Sequence, residues 1–211
     1  MMMLGIEILE RETVTMVPSC GRRRVVKIGI LVGSTRPGRR ARPVAEWVYQ
    51  VASKRSEATF ELVDISDYAL PLLDEPQPAM TGAPYAHAHT IAWSETIRGL
   101  DGFIIVTPEY NHGTSAALKN ALDYLYAEWN NKAVAFVSYG TNGGVRAVET
   151  LRMVAGDLQM ADVTMQVALS IFTDFTDEQT VQANDYHLKR LDTLLDQLIG
   201  WTNALAIVRD S

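Results

Sequence analysis

Five short apolar runs, each followed by an amphipathic stretch, recur along the chain, and this alternation restricts its fold more than any other feature. Lys27 to Val32 (KIGILV), Thr59 to Ile65 (TFELVDI), Gly102 to Val106 (GFIIV), Lys132 to Tyr139 (KAVAFVSY) and Val163 to Leu169 have strand length. The second run alternates, with Phe60, Leu62 and Ile65 expected to face inward. Helical spacing follows in Arg42 to Ser53, where Val44, Trp47, Val48 and Val51 form a stripe, and from about Tyr85 to Gly99. Ala116 to Trp129 repeats the pattern with Leu118, Leu122, Leu125 and Trp129, as does Gly143 to Met160. A final helix is predicted from about Gln179 to Ile207, opened by a capping box over Thr176 to Gln179. Strands with so little polar alternation belong in a parallel sheet covered on both faces, a doubly wound α/β fold.

Length and charge narrow the function classes. With 211 residues, nearly half of them apolar, the chain is expected to form one domain, residues 25–211, preceded by an extension of unassigned role, residues 1–24. A net charge of -6 argues against nucleic acid or an anionic membrane as partner. The basic residues nevertheless crowd into one stretch from Arg22 to Arg42, which suits a small anion. A single cysteine, Cys20, makes no internal disulfide and no metal-ligand spacing, so a reducing, cytoplasmic setting is expected. The opening MMMLGIEILERETVTMV has no basic start and no small-residue cleavage site, so it does not read as a signal peptide. No apolar run approaches the roughly 20 residues of a membrane span.

In open α/β sheets ligands bind beyond the carboxyl ends of the strands, which selects three loops. The first, Gly33-Ser-Thr-Arg-Pro-Gly-Arg-Arg, lacks both the dinucleotide glycine fingerprint and the Lys-Ser/Thr of a phosphate-binding P-loop. A helix start nevertheless offers unpaired N–H groups to a phosphate, with the Ser34 and Thr35 hydroxyls, Arg36, and one of Arg39 or Arg40 adding donors. The plain alternative is a turn with solvated arginines.

The second loop, TPEYNHG, sits between an apolar run and the helix after it. Pro108 ends the ladder, while Asn111, His112 and Gly113 tolerate backbone angles that turn N–H groups outward toward a flat ring. Glu109 is either a ligand contact or exposed, and His112 a pocket residue, a catalytic acid or neither. His87 and His89, two apart on a predicted helix, are expected to point in different directions, which argues against a metal site. The third loop, Ser138-Tyr-Gly-Thr-Asn-Gly-Gly, removes side chains at Gly140, Gly143 and Gly144 and offers Tyr139 for stacking; a flexible connection is the alternative.

The order GSTRPGR, TPEYNHGTSAALKNALDYL, SYGTNGGVRA resembles the NADPH-dependent FMN reductases of the flavodoxin-like superfamily, over about Lys27 to Leu169. The resemblance implies a three-layer sandwich with strand order 2-1-3-4-5. It implies that Ser34, Arg36 and Arg39 or Arg40 hold the FMN phosphate. It further implies that Pro108, Glu109, Tyr110, Asn111, His112 and Gly113 line the isoalloxazine, with Ser138, Tyr139, Gly140, Gly143 and Gly144 closing its other side. Gly38-Arg39-Arg40-Ala41 departs from the Gly-Ser pair and asparagine of many members. The implied chemistry is hydride transfer from NADPH or NADH through FMN to a small acceptor such as a quinone, azo dye or metal ion, with no catalytic side chain and no metal site. A homodimer or homotetramer is implied, although the stripe Leu188, Leu191, Leu195, Leu198, Trp201 of the last helix is explained by packing on its own sheet. Two other classes compete: a flavodoxin-type electron carrier without nicotinamide turnover, and a flavin-free dehydrogenase using Asp64 for a ribose, against which the missing glycine fingerprint weighs.

Overall fold

A computed structural model describes residues 25–177 and 179–210; the predicted extension 1–24, with Cys20, lies outside the described residues. Strands β1 (Val26–Val32), β2 (Ala58–Asp64), β3 (Gly102–Pro108), β4 (Ala133–Gly140) and β5 (Ala161–Ser170) form one parallel sheet in the order β2-β1-β3-β4-β5. Helices α1 (Ala41–Ala52) and α5 (Asp185–Arg209) pack on one face. The other face carries α2 (Ala88–Arg98), α3 (Ala116–Asp123) and α4 (Val145–Asp157). This is the expected flavodoxin-like sandwich, and the strand order reverses at β1/β3, where such sheets bind ligands.

The apolar runs are continuous because both layers draw on them. β3 and β4 are buried along their whole length. Ile104, Val106, Ala135 and Val137 pack with Val44, Val48, Leu191 and Leu195 on one side. Phe103, Ile105, Val134 and Phe136 pack with Trp93, Leu118, Leu122 and Trp129 on the other, the period of two that a pleated strand imposes. Each large buried side chain contributes about 1.5–3 kcal/mol.

Several expected boundaries shift for local reasons. The last helix begins at Asp185, not near Gln179. Asn184 accepts from the Tyr186 and His187 N–H groups, while His187 Nδ1 accepts from the Asn184 N–H. The capping box predicted at Thr176 is instead part of a turn, with Thr176 N–H donating to Thr180 O and Phe175 bridging Val181; Glu178 of that motif lies outside the described residues. Helix α3 stops at Asp123, yet Leu125 and Trp129 remain buried in the turns beyond it. Ile65 follows the end of β2 and packs in the layer opposite Phe60 and Leu62. In α5, Leu191, Leu195 and Leu198 are buried as expected, but Leu188 and Trp201 are exposed.

His87 and His89 correct their expectation. His87 sits outside α2 in extended backbone, so the two rings stack, with centroids 5.2 Å apart, over Asp74. They point the same way because the helix begins only after the first of them.

The outer strand β5 is guarded from both layers. Five residues from Asp162 to Gln166 span the three from Val134 to Phe136, so the strand bulges. Arg152 of α4 donates to Val163 O and Thr164 O and pairs with Asp162. From α5, Arg190 donates to Gln166 O, and Gln197 accepts from Met165 N–H. Side chains thus occupy backbone groups that an edge strand would otherwise present to another chain. Replacing both arginines (Arg152→Leu with Arg190→Leu) should lower stability by about 1–3 kcal/mol and cause self-association in sedimentation velocity. Unchanged sedimentation would show that the bulge guards the edge alone.

Candidate functional site

All three predicted loops emerge at the carboxyl edge of the sheet. Arg36, Arg40, Pro108, Glu109, Tyr110, Tyr139 and Gly140 line one hollow of about 150 Å³, together with Thr141 and Ile171. Whole-ligand sites occupy roughly 300–1,000 Å³, so this hollow suits one end of a ligand. Wider hollows, of about 600 Å³ beside β5 and about 480 Å³ at the base of the sheet, contain arginines paired within the chain: Arg152 with Asp162 in the first, Arg98 with Glu128 and Arg209 with Asp101 in the second. The small hollow is the better candidate because seven predicted residues, drawn from all three loops, line it, while Ser34, Arg39, Asn111, His112, Gly113, Ser138, Gly143 and Gly144 do not.

In the first loop, the buried Ser34 Oγ accepts from the Arg36 N–H at 3.4 Å. Thr35 turns to a second hollow beside α3, lined also by Ser66 and Asn120. Arg39 turns inward and donates to Asp64 Oδ2 (2.6 Å) and Ser66 Oγ (3.1 Å). Burial raises the Asp64 pKa, but hydrogen bonds from Ser66 and Arg39 outweigh it and hold the carboxyl below its usual range. Asp64 is therefore engaged by its own chain, which weighs against the ribose role. Arg40 turns the other way, its guanidinium carbon 4.9 Å from the Phe175 ring centroid. As the N-cap of α1 it supplies no acceptor, the first turn has no acidic residue, and Pro43 has no N–H. An anion is the natural partner for such a helix start.

In the second loop, Pro108 ends β3 opposite Tyr139, and the Glu109 N–H donates to Tyr139 O at 3.0 Å. Tyr110 and Gly113 exchange N–H···O bonds, forcing Asn111 (φ 50°) and His112 (φ 70°) into the left-handed region as the loop composition suggested. His112 is exposed at this turn. Glu109 is neither solvated nor open to a ligand along its carboxylate. It accepts from the Arg146 backbone N–H (3.0 Å) and from its Nε (2.7 Å) and Nη2 (2.5 Å). Ser115 caps α3 and donates to Gly33 O, tying this loop to the first.

The third loop is braced from within: Ser138 Oγ donates to Gly143 O at 2.7 Å. Gly143 and Gly144 have φ of 72° and 75°. A Cβ on Gly143 would lie 2.9 Å from Ala168 Cβ, and one on Gly144 2.9 Å from the Tyr139 backbone N. These two glycines make room for Ala168 and for the backbone of Tyr139. Tyr139 is 6% exposed and edge-on to Phe175, so its ring is part of the core.

Sequence reasoning missed Arg146, Thr141, Ile171 and Phe175. Arg146 stands 37 residues from its partner Glu109, and no spacing rule links them. The last two lie after β5, on a strand end that carries no glycine and lies outside the three loops selected from the sequence.

A family model described as NADPH-dependent FMN reductase matches residues 26–174. An NAD(P)H-dependent FMN reductase of Schizosaccharomyces pombe is 42% identical over 149 residues, covering 70% of this chain and 74% of the relative. A quinone reductase of Pseudomonas putida is 31% identical over 193 residues, covering 84% and 95%. The solved structure of the flavoenzyme FerB, an NAD(P)H:(acceptor) oxidoreductase of Paracoccus denitrificans, aligns with a TM-score of 0.65 at 21% identity, covering 85% and 98%, and supports the fold.

The Glu109–Arg146 pair joins the second loop to α4. Burial raises the Glu109 pKa, but the Arg146 hydrogen bonds and charge overcome it and hold the carboxyl below its ordinary value. Its contribution is therefore complete above the unfolded value of about 4.3 and is lost as pH falls through the lower folded value. Glu109→Gln should cost about 1–2 kcal/mol at neutral pH, at the modest end for a charged hydrogen bond because water screens the partly exposed Arg146. In urea titrations the gap between variant and parent should close below about pH 4. A gap that persists there would mean packing, not charge, holds the loops.

Proposed function

The chain belongs to the NADPH-dependent FMN reductase family, and from that premise we propose how its own residues hold FMN at the carboxyl edge of the sheet. It is an FMN-dependent oxidoreductase that draws reducing equivalents from NAD(P)H. The observation that carries the site proposal is the convergence of Arg36 and Arg40 with the backbone of Pro108 to Tyr110 and of Tyr139 to Gly140 on one hollow. The start of α1 adds N–H groups to which no side chain of its cap responds.

The polar tail of FMN belongs at Arg36, Arg40 and the α1 start, above the buried Ser34. The ring belongs against the turn from Pro108 to Gly113 on one side and the loop from Ser138 to Gly144 on the other. Bound FMN supplies the redox chemistry, carrying reducing equivalents from NAD(P)H to the second substrate. The protein's part is to position, and no side chain has to act as a nucleophile or general acid. Asn111 and His112, held in left-handed backbone, present main chain toward the ring edge. The Glu109–Arg146 pair keeps the two ring-side loops in register.

A quinone is the acceptor class best supported, through the quinone reductase relative; azo dyes and metal ions are further candidates. Exposed apolar side chains, Leu72, Leu73, Met80 and Ile91 among them, are available to the expected homodimer or homotetramer. Among the described residues no helix is long and apolar enough to cross a membrane. A cytoplasmic setting, with residues 25–211 as one FMN-binding domain and 1–24 as an extension, completes the proposal.

Reconstituted protein should hold FMN and oxidise NAD(P)H in steady state with a quinone present. Uptake of FMN without NAD(P)H oxidation would instead indicate an electron carrier. Arg36→Ala should weaken FMN binding by about 1.5–3 kcal/mol, the loss of a charged hydrogen bond, read by quenching of flavin fluorescence. Unchanged affinity would remove Arg36 from the site.

A further inference from the structure

In a chain of net charge -6, a cation left without a counter-charge needs a reason. Several arginines pair with a carboxylate, as Arg39 does with Asp64, Arg146 with Glu109 and Arg152 with Asp162. Among the described residues Arg36, Arg40 and Arg190 have no such partner. The first two line the small hollow at the carboxyl edge of the sheet. Arg190 lines a different one, the hollow of about 600 Å³ beside β5, whose volume is that of a whole-ligand site.

Arg190 is oriented before anything binds. Its Nε donates to Gln166 O at 3.0 Å, and its guanidinium carbon lies 5.4 Å from the centroid of the Tyr186 ring. With one donor fixed on backbone and an aromatic ring beside the guanidinium, the two terminal nitrogens form a preset pair of donors. Among the described residues neither of them has a hydrogen-bond partner. A planar guanidinium presented in this way matches the two oxygens of a carboxylate, and little ordering remains to be done on binding.

The rest of the hollow sets the kind of carboxylate. Val145 and Ala168 supply apolar surface, and Tyr186, 62% exposed, supplies an aromatic one. Arg152, the other cation of the lining, is already engaged by Asp162 and by the carbonyls of Val163 and Thr164. Glu149 is exposed in the same lining and has no cationic partner among the described residues. One available positive charge beside one negative charge accepts a single anionic group and repels a second.

We infer that this hollow, at the outer edge of β5 between α4 and α5, is a second ligand site for a small organic monocarboxylate with an apolar body. The carboxylate meets the Arg190 fork, and the body lies against Val145, Ala168 and Tyr186. The site is separate from the hollow at Arg36 and Arg40, and the inference does not rest on the FMN reading. Its occupant would touch the third loop, because Val145 directly follows Gly144 and Ala168 backs Gly143.

Benzoate is the probe, and benzamide, of the same shape but uncharged, is its control. Both are titrated into the full chain in excess FMN, with affinity read by calorimetry and location by amide NMR. Benzoate should bind about tenfold or more tightly than benzamide, and the amide shifts should centre on Val145, Gln166 and Ala168. Arg190→Met should abolish the preference for the charged probe. Glu149→Gln alters an exposed, unpaired side chain and so keeps the fold, and it should tighten benzoate about threefold, the scale of a partly screened charge. The inference is overturned if benzoate does not bind, if benzamide binds equally well, if the shifts centre on the hollow at Arg36 and Arg40, or if Glu149→Gln leaves the affinity unchanged.

Discussion

A parallel sheet buried on both faces sends its remaining polar groups to its two ends, and the whole organisation of this molecule follows from how each end is satisfied. At the amino end the chain answers itself. Lys132 Nζ donates to Ile97 O, Asp101 accepts from the Lys27 N–H, and Arg209 reaches Asn131 O and Asp101. Burial depresses the Lys132 pKa to about 8, but the carbonyl at the end of α2 gives its ammonium a partner. At the carboxyl end the loops are fastened to one another instead. Gly33 N–H donates to Val106 O, Ser115 Oγ to Gly33 O, and Glu109 N–H to Tyr139 O. Among the described residues these bonds leave over the start of α1, Arg39 Nε and the Tyr139 hydroxyl.

That fastening also makes the rim a single body. The turn at Asn111 and His112 is held by the Tyr110–Gly113 pair below it, by Thr107 Oγ1 against Thr114 Oγ1 at 2.6 Å, and by Thr150 Oγ1 donating to His112 O. Left-handed backbone at two non-glycine residues persists only where surroundings insist on it. A ring laid there would meet main chain already in place, so little ordering would be required on binding.

Much of this was legible in the amino-acid sequence. Doubly buried strands leave uninterrupted apolar runs, so the five strands were found to within a few residues, and the loops at their carboxyl ends followed from topology. Capping was less legible. The Thr176 pattern competed with the stronger reciprocal bonds of Asn184 and His187, and the stacking of His87 on His89 hinged on where α2 starts. Within the site, residue type foretold the tendency of Asn111 and His112 to turn but not the partners of charged groups. Arg39 and Arg40 are chemically identical neighbours, and only the fold reveals that one meets Asp64 and the other Phe175. Glycine spacing was ambiguous in the same way, since Gly143 and Gly144 make room for Ala168 and for the backbone of Tyr139.

The guarded rim of β5 reaches beyond the single chain. A two-fold axis running alongside that strand would have to dislodge Arg152, Arg190 and Gln197 before the first inter-subunit ladder bond could form. A ten-stranded sheet continued through β5 is thereby discouraged, because two copies can mate there only by breaking bonds already made.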